Sequence, residues 1–503
     1  MSSCEVTLSG DSLAAGSLRY CLANTASGGI VNVNSSVTTL SLTSSLSVGT
    51  SVSIIVPASS SAVLLGNSNT FQISGGSSFY LANLVLSNLG LVLSAEASYT
   101  LFNVQFMGYT GMPISCSTTC QLSITSCTFT GHTATVISNY GPLVITNSVF
   151  HNNQMATATA SVLLSVAGPV TLTNASFTQN QGTLLLGVGA SSVSVVNSYF
   201  HSNSNPSAPQ LSSLNVSTVT ITGSEFGNST TPILDFGNAT LTITGCVFSN
   251  NNGGSSALSL GGSSTISDSN FTSNSATAQN GGAIRTYTTY SPNPPLTLTG
   301  CSFVANTASG SGGAVFTQES VTINGCTFSA NVALNGGAVY AHSGEITAST
   351  FIGNSANLGS GMGGAINANT LSVVNCVFTS NSASDGGAIA LVISGSINAT
   401  SFAFNSATWG GAIYAASNLQ VFFGTFTSNT AHSGGGAILG KASSNIAFST
   451  FSAHSVGAVL TVYGGSLVSC TFDSNRNSLI GASSSFSVVD ATLFNSSASV
   501  CTF

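Results

Sequence analysis

Along most of the chain, apolar and polar residues alternate with period two over four or five positions. Examples are "TLTIT" (Thr240 to Thr244), "PLTLT" and "SVTIN", the pattern of a strand with one face turned inward. A tripeptide such as "CTF", "CSF", "SVF" or "ASF" follows each run, and its first and third residues point the same way. The third is phenylalanine: Phe106, Phe129, Phe150, Phe177, Phe200, Phe226, Phe248, Phe271, Phe303, Phe328, Phe351, Phe378, Phe402, Phe426, Phe451, Phe472 and Phe494. The sixteen intervals cover 388 residues, range from 21 to 32 and average about 24, as expected of one structural unit repeated with loops of variable length.

Three residues before the phenylalanines from Phe150 to Phe378 stand Asn, Gly or Asp, with Ala348 the exception. These types tolerate a left-handed backbone, so the chain turns a corner there. Two residues before each phenylalanine from Phe129 to Phe378 the residue is small, as at Cys127, Ser148, Ala175, Cys301 and Cys326. If both positions face inward, successive turns stack small residue on small residue and ring on ring. A helical repeat would need 3.6-residue periodicity and helix formers, whereas this chain offers β-branched residues, Gly and Asn. Leucine-rich repeats would need regularly spaced leucines and a helical segment.

The expected fold is therefore all-β: a right-handed parallel β-helix of about 20 turns with three short strands per turn, roughly 95 Å long at ~4.8 Å per turn. A helix around Ser12 to Ala23, before a strand at Ile30 to Val33, would cap the first turn. The expected divisions are an N-terminal cap over 1–30 and the β-helix over 31–503. Within it, 31–128 is irregular, 129–270 degenerate, 271–438 well formed and 439–503 degenerate. The C-terminal end shows no comparable cap, and neither a secretion signal nor an anchor is written in the chain, which reads as a piece of a longer surface protein.

"FTSNSASDGGAI", Phe378 to Ile389, is one copy of a recurrent phrase. In it Phe378 and Ile389 enter the core, Asn381 turns and hydrogen-bonds along the rod, Ser382 to Asp385 form a loop, and Gly386 and Gly387 bend the chain. GGAI or GGAV recurs at Gly281, Gly312, Gly336, Gly363, Gly386, Gly410 and Gly435, alternating with FxxN at Phe271, Phe303, Phe328, Phe351, Phe378, Phe402 and Phe426. Seven alternating pairs resemble the repeats of chlamydial polymorphic outer membrane proteins, most strongly from Phe271 to Ile438. "GSLRYCLANTASGGIVNV" resembles the entry segment of many β-helix surface proteins. The resemblance implies a secreted passenger domain of β-helix type, commonly adhesive. The signal sequence and C-terminal membrane barrel of the chlamydial proteins have no counterpart here.

Charged residues make up 3% of the chain, against roughly 25% in ordinary soluble domains. Arg19, Arg285, Lys441 and Arg476 are the permanent cations, too few to form a face for a phosphate backbone or an anionic membrane. Mean hydropathy is positive, yet Ser, Thr, Asn or Gly interrupts every apolar run short of a spanning helix, so no membrane insertion is expected within this segment. A surface of hydroxyls and amides suits an extracellular or cell-surface location.

The eleven acids are scattered. Glu319 and Glu345, each just before a strand, are the candidates for carboxylates stacked on neighbouring turns, which would suit acid/base work or calcium. "GGGAILGKAS" approaches a phosphate-binding loop, but Ala442 stands where Ser or Thr is needed. His132, His151, His201, His342, His432 and His454 form no metal-binding pattern and read as surface residues. Cys4 with Cys21 and Cys116 with Cys120 are the candidate loop-closing disulfides. Cys301 and Cys326, if on adjacent turns, would also lie within disulfide range. Sequons at Asn34, Asn174, Asn215, Asn228, Asn238, Asn270, Asn398 and Asn495 permit N-glycans.

These features predict no cofactor, no catalytic residues and no metal site. The expected function is that of a non-catalytic extracellular or cell-surface β-helix, adhesin-like or a structural stalk, whose partners are host or neighbouring cell-surface glycans or proteins. The alternative is a carbohydrate-binding or carbohydrate-cleaving, pectate-lyase-like β-helix, with Tyr287, Tyr290 and Trp409 as sugar platforms in or near the longer loops. A third reading is an ice- or crystal-binding face made of the Thr rows, which break after about Thr322.

Overall fold

The computed structural model describes residues 1–494 apart from 61, 76–77, 95, 117–119, 157–160, 166–167, 189–190, 206–207, 215, 288–294, 357–358, 457, 477 and 483–485. The chain is a parallel β-solenoid of about 19 turns at about 24 residues per turn. It divides into two compact units, Met1–Leu241 and Thr242–Phe503.

In the first unit the strand Ser3–Val6 pairs in parallel with Gly29–Val33, Ser3 opposite Ile30. Ser3–Val6 is thus itself a strand stacked on the following turn. The capping helix runs Leu18–Asn24, shorter than the expected Ser12 to Ala23, with Ser17 as N-cap accepting from the Tyr20 N–H. The preceding segment is committed elsewhere. Asp11 accepts from Arg19 Nε at 2.6 Å, Arg19 Nη2 at 2.8 Å and the Thr43 N–H at 2.7 Å. The Arg19 hydrogen bond holds its carboxyl well below the usual carboxylate range. A disulfide joins Cys4 to Cys21, Cα atoms 5.4 Å apart, tying the first strand to the helix.

A regular turn of this unit has three strands, such as Thr128–Thr130, Ile137–Asn139 and Leu143–Thr146, each paired with its copy one turn on. In the second unit a two-residue strand is added, Ser275–Ala276 on the turn of Phe271 and Ser382–Ala383 on the turn of Phe378. The stretch Ser382 to Asp385 therefore opens as a strand rather than a loop. The last two strands of that turn fuse into one of ten residues, Ile389–Asn398.

The phenylalanines form a buried stack in each unit, Phe106 to Phe226 and Phe248 to Phe472. Ring centroids lie 4.6 to 5.1 Å apart, with planes within 16° of parallel among the described pairs. Phe494 does not join it. Leu493 pairs with Phe472, so Phe494 is shifted one place and exposed.

The corner three residues before each phenylalanine is left-handed, with φ of 51° at Asn147, 50° at Asp268, 48° at Ala348 and 55° at Asn375. A second left-handed corner lies two residues after the phenylalanine, as at Asn152, Ser202, Ala305 and Ser380. Ser380 therefore makes the turn that Asn381 was expected to make. Asn381 is fully buried beside it. Its Nδ2 donates to the Phe351 carbonyl of the previous turn at 3.0 Å and to Asn405 Oδ1 of the next at 2.9 Å, while its backbone N–H reaches the same oxygen at 3.0 Å. Each such asparagine bridges three turns, and the ladder runs from Asn251 through Asn274, Asn306, Asn331, Asn354, Asn381 and Asn405 to Asn429.

Two histidines expected at the surface occupy this same slot: His132 is 1% and His454 0% exposed. Gly386 has φ +67°, and a Cβ on Gly387 would lie 2.1 Å from the Gly411 carbonyl oxygen. The first glycine of GGA supplies the left-handed bend and the second the backbone contact between turns.

Candidate functional site

In the second unit the residues eight and six places before each core phenylalanine project outward from the strand that leads into the corner. Parallel register aligns them across five turns. Ser320, Ser343, Thr370, Ser394 and Asn418 make one row. Thr322, Glu345, Ser372, Ser396 and Gln420 make the other. Between them Val321, Gly344, Leu371 and Gly395 leave a floor of backbone and apolar carbon. The result is a groove of about 580 Å3. Its walls are hydroxyls and amides at strand spacing, ~4.8 Å, with Glu345 the one carboxylate.

Glu319 is not its partner. Ser320 aligns with Ser343 and Thr322 with Glu345, and the Glu319 carbonyl accepts from the Ser343 N–H at 3.3 Å. The expected carboxylate stack fails because the turn from Phe328 to Phe351 is 23 residues long, whereas the two acids are 26 apart. The groove's lining thus holds one carboxylate, not the pair that most glycoside hydrolases use. Among the described residues no cluster of three or more His, Cys, Asp or Glu could hold a metal ion.

The other candidates are dispersed. Tyr287 lines a separate cavity, Tyr290 lies outside the described residues, and Trp409, 41% exposed, closes the strand Ser406–Trp409 five phenylalanine steps further along. The phosphate-loop look-alike is part of the continuous strand Ile438–Ala447, with the Lys441 ammonium over the Tyr414 ring at 5.0 Å. The Thr row Thr265, Thr297, Thr322 ends at Glu345. His201 is bound to Glu225 at 3.0 Å, and His151 to the Thr178 hydroxyl at 2.9 Å.

Cys116 and Cys120 are joined, Cα atoms 6.3 Å apart. Cys301 and Cys326 remain thiols on adjacent turns, the Cys301 N–H directed at the Cys326 sulfur at 3.4 Å. Desolvation pushes the buried Cys127 thiol up to about 11, so it is a packing group rather than a nucleophile. Of the sequons, Asn215 and Asn495 lie outside the described residues, while Asn174, Asn228, Asn238, Asn270 and Asn398 are exposed.

Turns that stack in parallel register, one about every 24 residues, around a ladder of phenylalanine and asparagine define the right-handed parallel β-helix class. The chain matches a family model described as a right handed beta helix region over residues 190–356. It also matches the Chlamydia polymorphic membrane protein repeat over 375–391 and 424–441. Such repeats are those of surface or outer-membrane proteins of the autotransporter type, a family that is generally non-enzymatic. No curated protein matches the chain significantly. Among the described residues no helix is long and apolar enough to cross a membrane, which says nothing of strands.

Proposed function

We propose that the chain is a non-catalytic adhesive β-helix displayed at a cell surface, which holds cell-surface glycans or proteins along the groove beside Glu345. The observation that supports this reading is the groove itself. Five consecutive turns offer two rows of hydrogen-bonding groups in register with the solenoid axis, and a single acid stands among them. Such a surface suits an extended polar chain lying across several turns, held by many weak contacts and not cut.

Removal of two whole turns, residues 351–401, shortens both rows and joins Thr350 to Phe402, so that a core phenylalanine still follows Thr350. The expected result is a graded fall in attachment of the purified chain to cells, with no sugar or peptide released from the bound material. Complete loss of attachment from Glu345→Gln alone, or release of reducing sugar from any bound polysaccharide, contradicts the proposal.

A further inference from the structure

The geometry points to a second binding site, on the turns of Phe271 and Phe303, for a carboxylate-bearing saccharide held by Arg285; it deepens the adhesive reading above and rests on it for its biological setting. Two of the four permanent cations have partners elsewhere, and a third is simply solvated. Arg19 is bound to Asp11, Lys441 lies over the Tyr414 ring, and Arg476 is exposed. Arg285 is the middle residue of the strand Ile284–Thr286, whose outer two residues are buried. It faces outward, half-buried, in register with Ser259 on one side and Phe316 on the other. The ion pairs among the described residues are Arg19 with Asp11 and His201 with Glu225, so no acid neutralises it.

Among the described residues that line the cavity of Arg285, about 550 Å3, none is acidic. Around it stand amides and rings. Asn280 accepts from the Ser311 N–H through Oδ1 at 2.7 Å, which leaves its amide nitrogen to offer. Gln279 and Gln318 add further amides, and Tyr287 one ring. Phe316, stacked on Tyr340 with centroids 5.2 Å apart, supplies an apolar wall. A guanidinium fork matches the two oxygens of a carboxylate. Amides suit the hydroxyls of a sugar, and the rings suit its C–H faces. One cation with neutral donors balances a single negative charge; a phosphate near −2 would call for a second cation.

Binding of the full chain to sialyllactose, a glucuronate-terminated oligosaccharide, lactose and lactose phosphate, followed by calorimetry, tests the inference. The two carboxylated sugars are expected to bind at least tenfold more tightly than lactose or its phosphate. Arg285→Gln should erase that preference and Arg285→Lys retain part of it, while Glu345→Gln leaves it intact; circular dichroism confirms that each variant is folded. Equal binding of lactose or lactose phosphate, or unchanged binding by Arg285→Gln, overturns the assignment. Cell attachment by the same proteins separates the two readings. Arg285-dependent carboxylate binding without attachment refutes only the adhesive role, whereas attachment without carboxylate preference refutes only the site.

Discussion

His454 stands where the eight preceding turns from Asn251 to Asn429 place an asparagine, and the substitution is incomplete. Its Nδ1 faces Asn475 Oδ1 at 3.1 Å, and its backbone N–H reaches the same oxygen at 3.0 Å. The ring proton is therefore on Nδ1, and Nε2 is buried without a partner. An imidazole also lacks the amide oxygen that Asn429 accepts with toward Asn405, at 3.0 Å from its N–H and 2.9 Å from its Nδ2. Desolvation lowers the His454 pKa from 6.5 to about 4.

The unfolded chain thus binds the proton first as pH falls. Stability contributed by the neutral ring is complete above about pH 7, declines from 6.5 to 4 and is constant below. At pH 4.5 the deficit is about 2 to 3 kcal/mol. His454→Asn should extend the ladder by restoring two hydrogen bonds to Asn429, about 0.5–1.5 kcal/mol each. The variant is expected to gain about 1–3 kcal/mol at pH 7.5 and about 2–3 kcal/mol more at pH 4.5. Trp409 is the single tryptophan and lies in the same unit, so urea unfolding followed by its fluorescence at the two pH values measures both. His132→Asn, in the other unit and therefore followed by far-UV circular dichroism, is the control, because His132 already imitates the amide: Nε2 contacts the Phe106 carbonyl at 3.1 Å and Nδ1 accepts from the Tyr109 N–H at 3.3 Å. It should change stability at pH 7.5 by less than about 0.5 kcal/mol. A stability difference for His454→Asn that is the same at both pH values refutes a buried neutral imidazole.

Asn381→Leu removes the acceptor of the Asn354 N–H and Nδ2 and the donor to the Phe351 carbonyl. Three buried groups at about 1–3 kcal/mol each should lower the urea midpoint more than any surface change in the same turn. Phe378→Ala opens the ring stack between Phe351 and Phe402 and is expected to cost about 3–5 kcal/mol by equilibrium unfolding. Gly386→Ala meets a left-handed strain of about 1–2 kcal/mol. A Cβ there would also lie 2.1 Å from the Ile389 carbonyl oxygen, as close as a Cβ on Gly387 to the Gly411 carbonyl oxygen, so Gly386→Ala, which adds the left-handed strain to the same kind of clash, should be the more destabilising of the pair, and a larger loss from Gly387→Ala would contradict the argument.

The period, the inward phenylalanine, the small residue beside it and the first corner were legible because each places a distinctive residue type at a fixed distance along a strand. The second corner was not. It is filled by Asn, Ser, Ala, Gln and even exposed Phe404, all left-handed, so the stacked backbone imposes the conformation and no side chain announces it. The asparagine three places after phenylalanine was visible, but its burial was not, since the same residue type would serve an exposed turn. His132 and His454 were misread for the same reason: alone, a histidine carries no sign that it has entered an amide slot.

The groove could have been found by counting. Thr297, Thr322, Glu345, Ser372, Ser396 and Gln420 each precede a core phenylalanine by six residues, and their separations of 25, 23, 27, 24 and 24 equal the phenylalanine intervals. Between the corner strand and phenylalanine the chain has no room for insertion, so register there follows from the intervals, and it would have excluded Glu319 in advance. The Arg285 cavity obeys no such count. Arg285 precedes Phe303 by 18 residues and Phe316 precedes Phe328 by 12, although the two are aligned, because the turn lengths differ in the segment between them. Conserved spacing thus marks what the solenoid needs for stacking, while the sites where its turns can differ in chemistry fall where spacing is lost.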